Sequence, residues 1–348
     1  MNSSSPSTVS VSTNCSCPDN LLDTWSGLGE RYLIPIIGCL GLIGNLTAMG
    51  VLRSPQLKST TFHQSLITLA ICNILFLFFI LADLAVDVQH VIYIYMFPFI
   101  WNPLKNIVMT WETFLTMSIA TERFLAVCWP ILYRKHKLRT SSFIHLLNFI
   151  LPGLVLAILI NIPKFLEVKL VDKKDTVDFQ ATQLRMDETY IFYYIHWTRL
   201  LATGVIPFLY LAIINTIIII KIREGRIQSL KLRQNFKNPQ DDSRVPAVVK
   251  PTSSYLSLTL TGIVLLYLIC NLPRLILNLV EYHLISEIYK LDKCGCSLAP
   301  VWISSLIRSS HLLLTLNSSV NFLIYISLSK RFKKVFKIQI EYLFSKLK

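Results

Sequence analysis

Charge is scarce in this chain. Only 16% of its 348 residues are Asp, Glu, Lys or Arg, whereas 53% are hydrophobic and the mean hydropathy is +0.53. A chain with so little charge cannot clothe two soluble domains of this total length, which excludes an ordinary soluble enzyme. Other absences exclude further classes. There is no His-Glu-x-x-His and no pair of intramembrane aspartates, so an intramembrane protease is ruled out. Residues 300–326 hold no lysine for a retinal Schiff base, and no internal repeat suggests a transporter. Met1 to Asn20 has no basic stretch followed by an apolar one, so it does not read as a cleaved signal peptide. The first apolar segment then acts as its own uncleaved signal.

What the chain has in quantity is long apolar segments. A bilayer core about 30 Å thick needs roughly 20 apolar residues in a helix. Seven segments qualify, approximately 33–52, 65–86, 101–127, 143–163, 190–220, 255–280 and 300–326. The expected fold is an all-α membrane protein, a seven-transmembrane helix bundle: a tail over 1–32, the bundle over 33–326, and a short terminal segment over 327–348. The net charge of +14 would suggest nucleic acid in a soluble chain, but its distribution argues otherwise. Of the 34 Lys and Arg, 21 fall in the first, third and fifth connections and the C-terminal segment. Cations are retained in the cytosol, so the N-terminus is expected outside and no nucleic-acid partner is implied. The sequons at Asn2 and Asn14 fit glycosylation of an external tail, while those at Asn45 and Asn317 lie inside spans and read as structural.

The spans carry distinctive residues. Gly44-Asn45-Leu46-Thr47-Ala48 lies in the first, Leu69-Ala70 with Asn73 in the second, and Glu122-Arg123-Phe124 ends the third. Pro207 lies in the fifth, Cys270 and Pro273 in the sixth, and Asn317-Ser318-Ser319-Val320-Asn321-Phe322-Leu323-Ile324-Tyr325 in the seventh. Over nearly the whole chain these residues resemble the rhodopsin-like G-protein-coupled receptors. Phe97-Pro98, Asn102-Pro103-Leu104, the run from Asn161 to Glu167, Cys270-Asn271 with Asn278 and Glu281, and a seventh span with Phe322 where proline is usual resemble the invertebrate FMRFamide-type neuropeptide receptors.

The resemblance implies a receptor, not an enzyme, that passes an extracellular signal to a heterotrimeric G protein. Receptor kinases and arrestin are further expected partners. Glu122 and Arg123 would form a releasable lock, Pro207 and Pro273 would hinge their helices, and Asn321 and Tyr325 would complete the switch. Receptors of this kind usually hold sodium on an aspartate of the second span, but Asn73 stands there. Glu112 lies eleven residues before Arg123 and returns to its face at about 100° per residue. A transposed cluster of Glu112, Asn73, Asn317 and Asn321 is therefore expected, holding an allosteric sodium ion or a protonated acid; no other cofactor is expected. Asn271 in place of tryptophan argues against a tryptophan toggle.

Both halves of the family's usual outer disulfide are missing: Pro98 holds one position and 164–189 contains no cysteine. Cys15 and Cys17 in the tail and Cys294 and Cys296 in the last outer loop suggest a clamp, with three pairings open and free or metal-binding thiols as the alternative. Cys39, Cys72, Cys128 and Cys270 read as packing residues. The outer segments hold 13 acids against 8 bases, which favours a basic, amidated peptide. Asp83, Asp87, Glu167 and Glu281 are candidates to receive a ligand arginine. Lys105, Arg199, Arg274, Arg308 and His311 form a basic floor that suits an acidic ligand group or pairs internally with Asp83 and Glu281. A non-peptide ligand, or an orphan or decoy with weak or constitutive signalling, is the competing reading. Lys330 to Lys337 alternates basic and apolar residues, as an amphipathic eighth helix lying on the lipid would.

Overall fold

The computed structural model describes residues 29–57, 61–85, 91–139, 141–173, 176–235, 252–293 and 301–347. The first span is the helix Ile34–Leu52, entered through the π turn Gly29–Leu33, so helical backbone starts before residue 33. Pro35 sits in its first turn, where a missing N–H breaks no helix bond. The second span is Thr61–Ala85 and the third Asn102–Cys128, the latter preceded by the π turn Phe97–Trp101 that contains Pro98. Pro130 then opens a short helix, Pro130–Arg139. The fourth span, Ser142–Asn161, is capped by Ser141, whose hydroxyl accepts from the Ile144 N–H at 3.3 Å.

The fifth span begins with two π stretches, Ile191–Thr198 and Leu200–Val205, and continues as the α-helix Ile206–Asn235. The sixth is Thr252–Lys293. Both outrun the apolar segments 190–220 and 255–280, because hydropathy marks the bilayer crossing and not the end of the helix. Lys221 and Glu224 pair at 2.9 Å on the polar extension of the fifth.

Among the described residues, five helical stretches are long and apolar enough to cross a membrane, and the bent pair Ser305–Ser319 and Asn321–Leu328 adds a sixth. The third span is long enough, but Lys105, Glu112, Glu122 and Arg123 dilute its apolar character. It packs against the second, fourth, fifth and sixth spans, and buries Glu112, Glu122 and Arg123 among them. The fourth span is the opposite case: Leu147, Leu151, Val155, Leu156 and Leu159 are exposed. Polar residues at the centre and leucines outside are the arrangement a lipid solvent requires.

One short non-helical element sits within this all-α bundle. Between the fourth and fifth spans lies an antiparallel hairpin of β1, Val168–Lys173, and β2, Thr176–Ala181, with Val168 opposite Ala181. Val168, Val171, Thr176 and Val177 are β-branched and favour extended backbone. In the absence of the usual disulfide the hairpin is held at its base by Glu167, which accepts from Lys164 at 2.8 Å and from the Tyr190 hydroxyl at 2.8 Å. The Thr182 hydroxyl closes it on the Leu166 carbonyl at 2.7 Å. Burial opposes ionisation of Glu167, but the Lys164 ammonium outweighs it and holds the carboxyl below its usual range.

The seventh span is bent by 44° although it has no proline. The break falls at Val320, beside Ser318, whose carbonyl accepts from the Asn45 amide of the first span at 2.8 Å. A side chain reaching into the helix ladder is a recognised cause of a sharp kink. The same amide donates to its own Gly41 carbonyl at 2.8 Å. Gly41 permits this approach, since a Cβ there would lie 2.2 Å from Ser319 Oγ. Beyond the bend, Phe322 stacks edge-on with Phe332 and Phe336 of the terminal helix Lys330–Leu347. That helix buries Phe332 and Val335 and exposes Lys333, Lys334 and Lys337, as an amphipathic helix should.

Candidate ligand pocket and switch

Three polar sites are stacked along the third span. At the Lys105 end, a cavity of about 340 Å³ opens between the helices. Its apolar walls include Phe76, Ile80, Leu277 and Leu314, and its polar lining includes Glu30, Asp83, Lys105, Arg199, Arg274 and His311. Asp83 accepts from Lys105 and from the Trp101 indole. Glu30 pairs with Arg308 at 3.6 Å and with His311 at 3.5 Å. Sequence reasoning left Glu30 in the tail; the helical turn that carries it into the pocket begins ahead of the apolar segment.

Two of the candidate ligand carboxylates have internal partners: Asp83 pairs with Lys105, and Glu167 with Lys164 and with Arg185 at 3.8 Å. The reason is general, since a half-buried charge without a partner is costly. Asp87 lies outside the described residues, and so does the Glu281 side chain, although its backbone continues the sixth helix. Cys15, Cys17, Cys294, Cys296, Asn2 and Asn14 also lie outside them. The four described cysteines are free, and Cys39 is exposed on the first span instead of packed within the bundle. Arg199 stands between the two π stretches of the fifth span, a distortion that nothing in the sequence pattern announced. Pro207, in the first turn after them, is buried where π geometry gives way to α, and Pro273 lies within the sixth helix.

In the middle of the bundle Glu112 is buried, and its carboxyl accepts from the Asn317 amide at 2.8 Å and from the Ser318 hydroxyl at 3.4 Å. Of the four residues grouped in the sequence, Asn317 bonds Glu112 directly. Asn73 donates to Asn45 Oδ1 at 3.3 Å, not to Glu112, because its side chain faces the first span. It joins the network one step removed, through Asn45 and Ser318. Asn321 lies just past the bend, and its Oδ1 is buried without a donor, as is Asn73 Oδ1. Ser318 escaped sequence reasoning because a serine inside an apolar helix usually bonds its own backbone. Among the described residues no three His, Cys, Asp or Glu side chains converge, so a cation here would rest on one carboxyl plus neutral oxygens. Asn271 donates to its own Tyr267 carbonyl at 2.9 Å, and the Tyr267 hydroxyl donates to Thr113 at 2.9 Å.

At the other end, Arg123 Nη2 lies 3.1 Å from Glu122 Oε1. Glu122 also accepts from the Tyr133 hydroxyl at 2.8 Å and from Ser65 at 3.4 Å. The Arg123 guanidinium sits 3.8 Å over the Phe62 ring. Burial and the Glu122 charge push the Tyr133 hydroxyl above its ordinary pKa, so it remains a donor. Tyr133 and Ser65 were not found from sequence, because they come from other elements at no fixed spacing. Arg123 Nε and the buried Tyr325 hydroxyl have no hydrogen-bond partner, so both ends of the switch keep bonding capacity that another arrangement could use.

A seven-helix membrane bundle, with a charged pocket at one end and a buried Glu-Arg pair at the other, defines a receptor. Residues 44–325 match the family profile described as 7 transmembrane receptor (rhodopsin family), and the chain belongs to that family. It is 29% identical over 320 residues to an FMRFamide receptor of Drosophila melanogaster, across 87% of this chain and 52% of that protein. It therefore spans about half the length of that relative. It is 26% identical over 332 residues to the probable G-protein coupled receptor frpr-1 of Caenorhabditis elegans, across 88% of this chain and 77% of that one. Its family and relatives are signalling receptors, not enzymes.

Removing the Tyr133 hydroxyl takes a charge-assisted bond from Glu122, a loss of about 1.5–3 kcal/mol. Tyr133→Phe should raise ligand-free signalling roughly tenfold, at about 1.4 kcal/mol per factor of ten, with surface expression unchanged. Wild-type basal signalling in that variant would mean that Tyr133 does not hold the lock.

Proposed function

We propose that this protein is a plasma-membrane receptor with its N-terminus outside, which binds an extracellular neuropeptide and reports it to a cytosolic heterotrimeric G protein. The ligand is an FMRFamide-like or other amidated basic peptide. The observation that carries this reading is the cavity's lining of opposed charges, Asp83 with Lys105 and Glu30 with His311, with Arg308 reaching Glu30 from beside the cavity. Such a pocket offers exchange of partners: an incoming arginine competes with Lys105 for Asp83, and an acidic or carbonyl group competes with Glu30 for its cations. The Drosophila relative's name supports the peptide class, and the cation distribution supports the orientation. Lys105, Glu112 and Arg123 share one helix, so a partner exchanged at Lys105 bears on the lock through a rigid element. Receptor kinases acting on the third inner loop, followed by arrestin, belong to the same reading.

The sodium ion that the resemblance implies would be held by the Glu112 carboxyl with the Ser318 hydroxyl and the orphaned oxygens of Asn73 and Asn321. It would supply a positive charge that pins the third span to the seventh.

A calcium or cAMP assay in transfected cells, challenged with an amidated-peptide library, tests the ligand class. A saturable response to a basic amidated peptide is expected, with potency at least tenfold lower in Asp83→Asn. A response to a non-peptide and to none of the peptides would overturn the reading. For the cation, agonist potency should shift several-fold between low and high sodium in wild type and not in Glu112→Gln; equal shifts in both would remove the site.

A further inference from the structure

A second cavity, at about 520 Å³ larger than the peptide pocket, lies at the Arg123 end. It is a groove on the flank of the bundle between the end of the third span, the short helix Pro130–Arg139 and the start of the fourth span. Leu125, Trp129, Leu132 and Phe149 give it apolar walls, while Lys135 and Arg139 stand at its rim. No acidic residue lines it, and among the described residues neither cation has an acidic partner. We propose that this groove binds one anionic phospholipid of the cytoplasmic leaflet, an acyl chain lying along Trp129 and Leu132 and the headgroup on Lys135 and Arg139.

Two features select a lipid over a protein segment. Asn148 and Phe149 of the groove lie on the fourth span among the exposed Ile144, Leu147 and Leu151, an apolar surface met by lipid, so its occupant arrives from the bilayer and not from water. Its charge complements the anionic inner leaflet, which draws basic residues to the surface. The leaflet assignment rests on the orientation proposed above; the groove itself does not. Occupancy has a consequence for signalling, because Tyr133 both lines the groove and donates to Glu122 at 2.8 Å. A lipid packed against this ring holds it on Glu122, so the filled groove favours the resting lock.

The test is photolabelling of the full chain in nanodiscs that contain diazirine-tailed phosphatidylserine or diazirine-tailed phosphatidylcholine, with adducts mapped by mass spectrometry. Nanodiscs carry the same lipids in both leaflets, so the result does not depend on orientation, which tag accessibility on intact cells reads separately. Phosphatidylserine adducts are expected within 125–149, at least tenfold above phosphatidylcholine. Lys135→Gln with Arg139→Gln should reduce them about tenfold and leave labelling of the Lys330–Leu347 helix unchanged. Asn148→Phe, which fills the groove from an exposed position and keeps both cations, should reduce them as well. Wild-type thermal stability in both variants establishes that they fold. Equal labelling by the two lipids, labelling that survives in both variants, or a groove shielded by added G protein alone would overturn the proposal.

Discussion

An acidic side chain at the centre of a membrane bundle must be met by donors from neighbouring helices, and Glu112 is met by Asn317 and Ser318 of the seventh span. Much of the helix arrangement follows from that contact. Bringing Ser318 to Glu112 also brings its carbonyl to Asn45, whose amide opens the ladder and bends the seventh span without a proline. The glycine at Gly41 leaves room for the first span to come this close. Asn45 in turn receives Asn73, so four spans meet through five polar residues. Leaving one of these groups buried and unmet would cost about 1–3 kcal/mol, which is why the network is shared instead of local.

The third span organises the rest because it carries ionisable groups at three depths. Lys105 is answered by Asp83 at one end, Glu112 by the seventh span in the middle, and Arg123 by Glu122 and the Phe62 ring at the other. The second span holds both ends and the seventh holds the middle. A movement that exchanges one partner therefore strains the next, through side chains that have discrete arrangements and not a continuum. The bend in the seventh span places Tyr325 and Phe322 against the terminal helix, so the Glu112 contact reaches the Arg123 end by a second route as well.

Much of this was legible in the sequence. Apolar run length located the seven spans, and helical spacing brought Glu112, Lys105 and Arg123 to one face. Other features depend on which neighbour a side chain meets, which no single-chain periodicity encodes. Asn73 turns to the first span, Tyr133 arrives from the following helix, and Glu30 enters the pocket on a π turn that hydropathy places outside the membrane. The bend at Val320 has a related reason, since its cause lies on Asn45 of another span. The hairpin Val168–Ala181 escaped because a span count treats every connection as loop.

The Glu112 contact and the Glu122 lock are expected to act as one coupled system. A double-mutant cycle on ligand-free signalling tests it most directly, with Glu112→Gln, Glu122→Gln and the double variant compared at equal surface expression. The double variant should signal well below the product of the two single increases, since either substitution frees the same third span. A double variant equal to that product would show two independent sites and contradict it.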